Sequence, residues 1–311
     1  MALDHVNVYV IDEGDSWTII DTGFWSKKTQ SIWSEIKEKW FNDKPIGKVI
    51  VTHHHPDHVG LAGWFQTEFK AELWMSRTAW LMARMLRLDY QKLPTEETIN
   101  FWRRAGMDDL ILNERATGKP FNFGDSVHEM PLGFRRIIDG EKIILGNRSW
   151  IVRVGNGHAP EHLTLWCEDE PIVIAGDQII SSISPNLGVY ATEPEADPVQ
   201  EWLMSCEAFL PFSNDKQLVL PGHKLPFYGL PHRLKQLIEN HHSALKRLVA
   251  FLKEPQTAVD CFPVLFNRKI SDNEYGLALV EAVAHLNHLY RKKIVKRELN
   301  SKGAYVYTLK N

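Results

Sequence analysis

Two short runs rich in β-branched and aromatic residues open the chain, Val6-Asn7-Val8-Tyr9-Val10-Ile11 and Trp17-Thr18-Ile19-Ile20. With Glu13-Gly14-Asp15 between them, they predict two strands around a turn. A helix is expected from about Lys27 to Trp40, and Lys48-Val49-Ile50-Val51-Thr52 reads as a short buried strand. His58 to Phe69 has helical character and Ala71-Glu72-Leu73-Trp74-Met75 strand character, so the elements alternate as in a layered α/β protein. From about 76 to 118 the pattern turns helical, with Trp80, Leu81, Met82, Met85, Leu86 and Leu88 spread too broadly for one narrow apolar face. This stretch reads as a helical insertion. Strands resume with Arg136-Ile137-Ile138, Lys142-Ile143-Ile144-Leu145, Ser149 to Val154, Leu163-Thr164-Leu165-Trp166 and Ile172-Val173-Ile174-Ala175, enough for the second half of a sheet layer.

After Pro231, Leu234, Leu237, Ile238, Leu245, Leu248 and Val249 recur at helical spacing, which predicts one long amphipathic helix to about Leu252. A new segment starts at Pro255. A helix over about Asn273 to Tyr290 is followed by two short strands, Ile294 to Arg297 and Ala304 to Tyr307, joined through Asn300-Ser301-Lys302-Gly303, the order of a winged helix-turn-helix. The chain thus divides into a larger domain over residues 1–230, with the insertion at about 76–118, and a region 231–311 made of the long helix and a winged-helix-like α+β domain.

Composition narrows the function classes. At 311 residues and 44% hydrophobic side chains there is material for a sizeable core, and one large plus one smaller domain is the natural division. The net charge of -3 provides no overall basic field for nucleic acid or an anionic membrane, so such a partner requires a local patch. Cys167, Cys206 and Cys261 are widely separated and form no CxxC, which suggests neither a disulfide framework nor a thiolate metal site and fits a reducing cytoplasm. Met1-Ala2-Leu3-Asp4-His5 has no basic segment leading into an apolar stretch, and no apolar run approaches the ~20 residues of a membrane span. The expectation is a soluble, unexported protein with no membrane association.

The chemistry is concentrated in Thr52-His53-His54-His55-Pro56-Asp57-His58, an HxHxDH pattern directly after a buried-strand sequence. On an extended loop, alternate residues turn His53 and His55 toward one ion and His54 away. Asp57 and His58, at the turn into a helix, face a second. A histidine tag would lack the internal Asp and the strand-to-helix setting. Imidazole and carboxylate suit zinc, with iron or manganese as alternatives, and two such ions ~3.5–4 Å apart can share a hydroxide. Three further candidates follow strands: His158 in Gly157-His158-Ala159-Pro160, Asp177 in Ile172-Val173-Ile174-Ala175-Gly176-Asp177, and His223 in Leu218-Val219-Leu220-Pro221-Gly222-His223. Loops at one edge of a sheet would bring them together.

Asp21-Thr22-Gly23, the HxHxDH cluster, Gly157-His158, Gly176-Asp177 and Gly222-His223 resemble the five sequential motifs of the metallo-β-lactamase superfamily, over about residues 5 to 230. The resemblance implies an αββα sandwich. It also implies His53, His55 and His158 on one metal, Asp57, His58 and His223 on the other, Asp177 bridging, and Asp21 supporting the site without ligating. The distance from His58 to His158 exceeds that of the smaller members, and the helical insertion accounts for the excess. The implied reaction is hydrolysis by a metal-bridging hydroxide, with charge on the substrate oxygen stabilised by the metals and Asp57 orienting the water and handling its proton. No serine or cysteine stands in a recognisable nucleophile motif.

Further residues are candidates around the site. His162 is a candidate substrate contact or a hydrogen-bonded structural histidine. Lys224 and Tyr228, just after the last metal histidine, are candidate substrate contacts. His241 and His242 read as surface or packing residues of the long helix. The loop Gly157 to His162 resembles that of hydroxyacylglutathione hydrolases and lactonases, which points to a thioester or ester and a small-molecule acyl substrate. Pro221-Gly222-His223-Lys224 departs from the glutathione-thioesterase pattern, and no glutathione-binding set carries over. Met75, Met82, Met85 and Met107, in or beside the insertion, read first as core packing or a homodimer contact; placed over the metals, they would cover an acyl chain.

Two rival functions remain. From Tyr290 onward, Arg291, Lys292, Lys293, Lys296, Arg297, Lys302 and Lys310 stand against Glu298 alone, a net +6. A lactamase-like domain with a C-terminal winged helix resembles a group that includes a single-strand endoribonuclease, so an RNA-cleaving phosphodiesterase is one alternative and a merely solvated basic surface the bland reading. A mononuclear iron enzyme of persulfide or dioxygen chemistry is the other, opposed by the complete second-site set.

Overall fold

A computed structural model of the chain describes residues 5–310. Met1 to Asp4, part of the segment read as lacking a signal sequence, and Asn311 lie outside the described residues. Strands β1 (Tyr9–Asp12), β2 (Trp17–Ile20), β3 (Ile46–Ile50), β4 (Glu72–Met75) and β5 (Arg135–Arg136) form the first sheet in that order, all parallel except the β1–β2 pair. Strands β6 (Lys142–Leu145), β7 (Arg148–Gly155), β8 (His162–Cys167), β9 (Ile172–Gly176) and β10 (Leu218–Pro221) form the second, antiparallel except for β9 with β10.

The alternation of side chains along a strand explains the layers. In the first sheet Ile20, Ile50 and Trp74 face inward, against Leu145, Val152, Leu163, Leu165 and Ile174 of the second. Their neighbours Ile19, Val49 and Leu73 face outward, against Trp33 of helix α1 (Lys27–Trp40) and Phe65 of α3 (Ala62–Phe69), which follows the one-turn α2 (Pro56–Val59). Parallel strands buried on both faces need continuous apolar runs, as in Val49-Ile50-Val51. The outer face of the second sheet, Trp166, Val173, Ala175 and Val219, packs on Trp202 and Phe209 of α7 (Pro198–Phe209) and on Leu234 and Leu237 of α8 (Leu230–Phe251). Four layers result, the αββα sandwich. Each fully buried aliphatic side chain contributes about 1.5–3 kcal/mol, so the cores rather than the loops hold the two sheets in register.

Between β4 and β5 lies the insertion, α4 (Arg77–Leu88), α5 (Glu96–Arg104) and α6 (Asp109–Thr117). Its methionines do not form one cover over the metal ligands. Met75 is in the core under the first sheet, and Met107 joins Phe101 and Leu112 in the core shared with the C-terminal region; only Met82 and Met85, on α4, retain exposure. That region consists of α8, α9 (Phe262–Phe266), α10 (Tyr275–Arg291) and the hairpin β11 (Val295–Leu299) with β12 (Tyr305–Leu309), a small α+β unit. His241 is buried against His285 and Trp202, a packing residue, while His242 is exposed. Among the described residues no helix is long and apolar enough to cross a membrane.

Two departures from the sequence reading have local causes. The helix expected over His58 to Phe69 is broken into α2 and α3, because Thr22 intrudes: its hydroxyl donates to the His58 carbonyl (2.7 Å) and accepts the Leu61 N–H (2.9 Å). Helix α7 was not among the expected elements, though Asp197 caps it by accepting the Gln200 N–H (3.0 Å) and Pro198 occupies its first turn.

Candidate metal centre

All seven sequence-predicted ligands come together at one edge of the sandwich. Three groups of ligand atoms, each lying within 4.8 Å of one another, are His53, His55 and His158; His53, His58 and Asp177; and Asp57, His58 and His223. His53 to His58 leave the C-terminal end of β3, Asp177 follows β9, and His223 follows β10. His158 lies in the turn between β7 and β8. Parallel neighbours β9 and β10 deliver Asp177 and His223 side by side, with His223 Nε2 3.3 Å from Asp177 Oδ2.

Hydrogen bonds behind the ligands fix which ring nitrogen faces inward. A carbonyl or carboxylate oxygen only accepts, so the ring nitrogen bonded to it must carry the proton. His158 Nδ1 donates to the Asn186 carbonyl (2.9 Å), His223 Nδ1 to the His5 carbonyl (2.6 Å) and His58 Nδ1 to Asp21 (2.8 Å). Thr52 gives its hydroxyl proton to Asp21 (2.8 Å) and thus accepts from His53 Nδ1 (3.0 Å). Four imidazoles thereby turn Nε2, rather than Nδ1, toward the centre of the cluster. Asp21, held also by the Thr52 N–H (2.8 Å), anchors two of these rings. It is itself in left-handed backbone (φ 60), as are Glu161 (φ 47) and Lys224 (φ 67) in two other ligand loops.

The inner atoms have only one another as neighbours: His53 Nε2 meets His55 Nδ1 (3.0 Å), His223 Nε2 lies 3.1 Å from Asp57 Oδ2, His58 Nε2 3.4 Å from Asp177 Oδ1 and His158 Nε2 3.5 Å from Asp177 Oδ2. Nε2 of His58, His158 and His223 and Oδ1 of Asp177 are buried without a hydrogen bond. Unpaired polar atoms of this kind are costly to bury. Converging from four loops, and being nitrogen and carboxylate oxygen, they fit a divalent cation.

The electrostatics agree. Burial pulls His58 down, yet the carboxylates of Asp177, Asp57 and Asp21 outweigh it and hold its pKa well above the usual imidazole value. His223 is likewise raised to about 9, against burial, by Asp177 and Asp57. Burial works against the charged form of Asp177 as well, but His58, His158 and His223 keep it well below the usual carboxylate range. His53 and His55, farther from the carboxylates, are driven well below the ordinary value by burial and by neighbouring imidazoles. The protein has desolvated a set of carboxylates that demands positive charge.

Backbone fit is close. A Cβ on Gly222 would stand 2.1 Å from Asp177 Oδ1 and 2.7 Å from His58 Cε1, so only glycine lets the β10 loop approach. Gly157 has φ +97 and lies against Trp202, where an added Cβ would come within 2.3 Å of the Trp202 Cβ. On the far side, Asn7 and Tyr9 strap the His223 loop: Asn7 Nδ2 donates to the carbonyls of Pro221 (2.9 Å) and Lys224 (2.6 Å), and the Tyr9 hydroxyl to Pro221 (2.7 Å).

The remaining candidates separate. His162 is fully buried, stacked on His53, and accepts the Asp177 backbone N–H, which leaves it no surface for substrate. His54 is buried, outside all three ligand groups. Tyr228 is 66% exposed and Lys224 partly so. Thr52, Asn186, His5 and Asn7 support the ligands without having been singled out in the sequence; only Thr52, abutting the motif, carried a signal.

The chain matches the family model of the Metallo-beta-lactamase superfamily over residues 1–223 and that of the metallo-beta-lactamase-like C-terminal domain over residues 245–310. A beta-lactamase domain protein from Burkholderia ambifaria superposes with a TM-score of 0.90 at 31% identity, covering 100% of this chain and 90% of that one. A metallo-beta-lactamase family protein from Thermus thermophilus has a TM-score of 0.79 at 24% identity over 98% and 94% of the two chains and shares the fold. Among curated proteins, a probable metallo-hydrolase of Bacillus subtilis (strain 168), YqjP, is 24% identical over 99% of this chain and 95% of its own length. With the five motifs gathered at one site and family models matching most of its length, the chain belongs to the metallo-β-lactamase superfamily.

Proposed function

We propose that the protein hydrolyses a thioester or ester of a small acyl substrate, using two divalent metal ions, zinc in the first instance, held by His53, His55 and His158, by Asp57, His58 and His223, and by Asp177 between them. The chain is a metal-dependent hydrolase of its superfamily. The metal reading rests on the convergence of buried donor atoms of His58, His158, His223 and Asp177 that have no hydrogen bond. When bound, the metals lower the pKa of water and stabilise negative charge developing on the substrate oxygen.

The chain's residues supply the rest. Asp57 is the most exposed of the three carboxylates, its side chain 18% accessible against 7% for Asp177 and 3% for Asp21. It therefore orients the attacking water and takes its proton. Asp21 and Thr52 hold the rings of His58 and His53. An acyl substrate is supported by exposed apolar side chains next in sequence to the site: Phe24, just beyond the Asp21 loop, is 46% exposed, and Leu225 and Tyr228, just beyond His223 and beside the partly exposed Lys224, are 77% and 66% exposed. Apolar side chains at a catalytic edge suit a hydrocarbon chain.

The nuclease reading has less support. Arg297, part of the basic tail, is only 12% exposed, pairs with Glu195 (2.9 Å) and stacks over Tyr290 and Tyr305. Arg291 bonds the Glu195 carbonyl and Lys296 pairs with Glu298. Fewer of these charges are thus available to phosphates than the sequence count suggests. Turnover of acyl-CoA, glutathione thioester, lactone and single-stranded RNA, compared on the zinc-loaded chain, tests the proposal. Faster cleavage of thioester or ester supports it; cleavage of RNA alone, with binding that falls steeply with salt, overturns it.

A further inference from the structure

The segment from Ile180 to Asp197, linking β9 to α7, has no helix or strand of its own, and its polar groups find partners in the C-terminal region. Asn186 supplies the carbonyl that accepts from His158 Nδ1 (2.9 Å). The same residue's side-chain amide donates to Glu281 Oε2 (2.7 Å) and to the Leu277 carbonyl (3.3 Å), both on α10. The stitching continues along the segment. Val189 N–H donates to the Val280 carbonyl (3.1 Å), Asn287 Nδ2 to the carbonyls of Pro194 (2.9 Å) and Ala196 (3.0 Å), and His288 Nδ1 bonds Asp197 (3.0 Å). With the Glu195 carbonyl, which accepts from Arg291 (2.7 Å), bonds at six positions of the segment go to one helix.

A metal-ligating histidine is oriented by the acceptor of its other ring nitrogen, and loss of that acceptor weakens metal binding. Here the acceptor is a main-chain carbonyl in an irregular segment, so its place depends on what pins the residue bearing it. We propose that Asn186 and Glu281 are positioning residues of the metal centre, through which the C-terminal helix α10 sets the orientation of His158. The inference rests on His158 being a metal ligand, as proposed above. It makes the C-terminal region a working part of the active site rather than an appended module.

Glu281→Leu keeps bulk and removes the acceptor; Glu281→Gln keeps an acceptor oxygen for Asn186; Asn186→Ala keeps the main-chain carbonyl and removes its anchor. In the full chain, zinc affinity is measured by competition with a coloured chelator, and the Tm of each metal-free protein is taken alongside. The expected result is that Glu281→Leu and Asn186→Ala lose affinity for the zinc held by His53, His55 and His158 by about 10- to 100-fold while Glu281→Gln stays within about threefold of wild type by the same reasoning. Wild-type affinity in both Glu281→Leu and Asn186→Ala, or an equal loss in Glu281→Gln and Glu281→Leu, would overturn the proposal, as would a lowered metal-free Tm with zinc affinity unchanged. Failure of the wild-type chain to bind zinc would instead remove the metal reading itself.

Discussion

His162 accepts the backbone N–H of Asp177 at 3.1 Å while its ring lies on that of His53, centroids 4.5 Å apart. Accepting at Nε2 places the ring proton on Nδ1, and burial keeps the group neutral by lowering its pKa to about 3. One side chain thereby positions the carboxylate between the two groups of histidines and one of those histidines.

His162→Phe preserves the stack and removes the acceptor, leaving a buried N–H unpaired at a cost of about 1–3 kcal/mol. The expected outcome is zinc binding weakened about 10-fold or more and a lower kcat with KM little changed. A raised KM with normal zinc affinity would assign His162 to substrate.

Gly222→Ala forces a methyl against Asp177 and His58. The loop must shift and carry His223 with it, so kcat/KM should fall by at least about 100-fold, the scale set by misplacing catalytic groups by ~1 Å. Near-normal turnover in a steady-state assay would show that the loop tolerates the change.

His58 and His223 bind protons more tightly in the metal-free site than an ordinary imidazole does. Those protons must leave as zinc enters, so affinity should rise with pH up to about 9, the His223 value. Calorimetric titration at about pH 7.5, below that value, in buffers of differing ionisation enthalpy should register net proton release. Its absence would contradict the electrostatic account of the site.

Away from the metals, His285 donates Nδ1 to the Glu281 carbonyl (2.8 Å) and so accepts from His241 Nδ1 (3.0 Å). Burial lowers the His285 pKa to about 4. A depressed folded-state value means that the unfolded chain takes up more protons as pH falls below about 6.5, so stability is full above that value and is lost toward pH 4. The loss is about 2 kcal/mol between pH 7 and pH 5. Urea unfolding of metal-free wild type and His285→Gln at both pH values should show a smaller pH effect in the variant; parallel slopes would contradict it.

What could be read from the residues follows from how local each signal is. Ile19-Ile20, Val49-Ile50 and Leu73-Trp74 place one side chain on each face of the first sheet, and this two-sided burial is written in consecutive positions. The ligands stand at strand ends, so HxHxDH and the three later motifs were legible. The break after α2 was not, because it depends on Thr22, 36 residues from its His58 partner. Neither was the support of His158 by Asn186, nor that of His223 by His5, 218 residues away: main-chain carbonyls carry no residue-specific signature. Core packing of the methionines was legible for Met75 and Met107, but not that Met107 joins the core shared with the C-terminal region, a contact that no periodicity within the insertion encodes.

The proposed hydrolysis requires two metal ions at one site built from seven side chains. Anomalous diffraction above the zinc edge, from crystals grown with zinc, tests it most directly. Two peaks are expected, one within ligand distance of His53, His55 and His158 and one within reach of Asp57, His58 and His223, with Asp177 touching both. A single peak, or none among these residues, would contradict it.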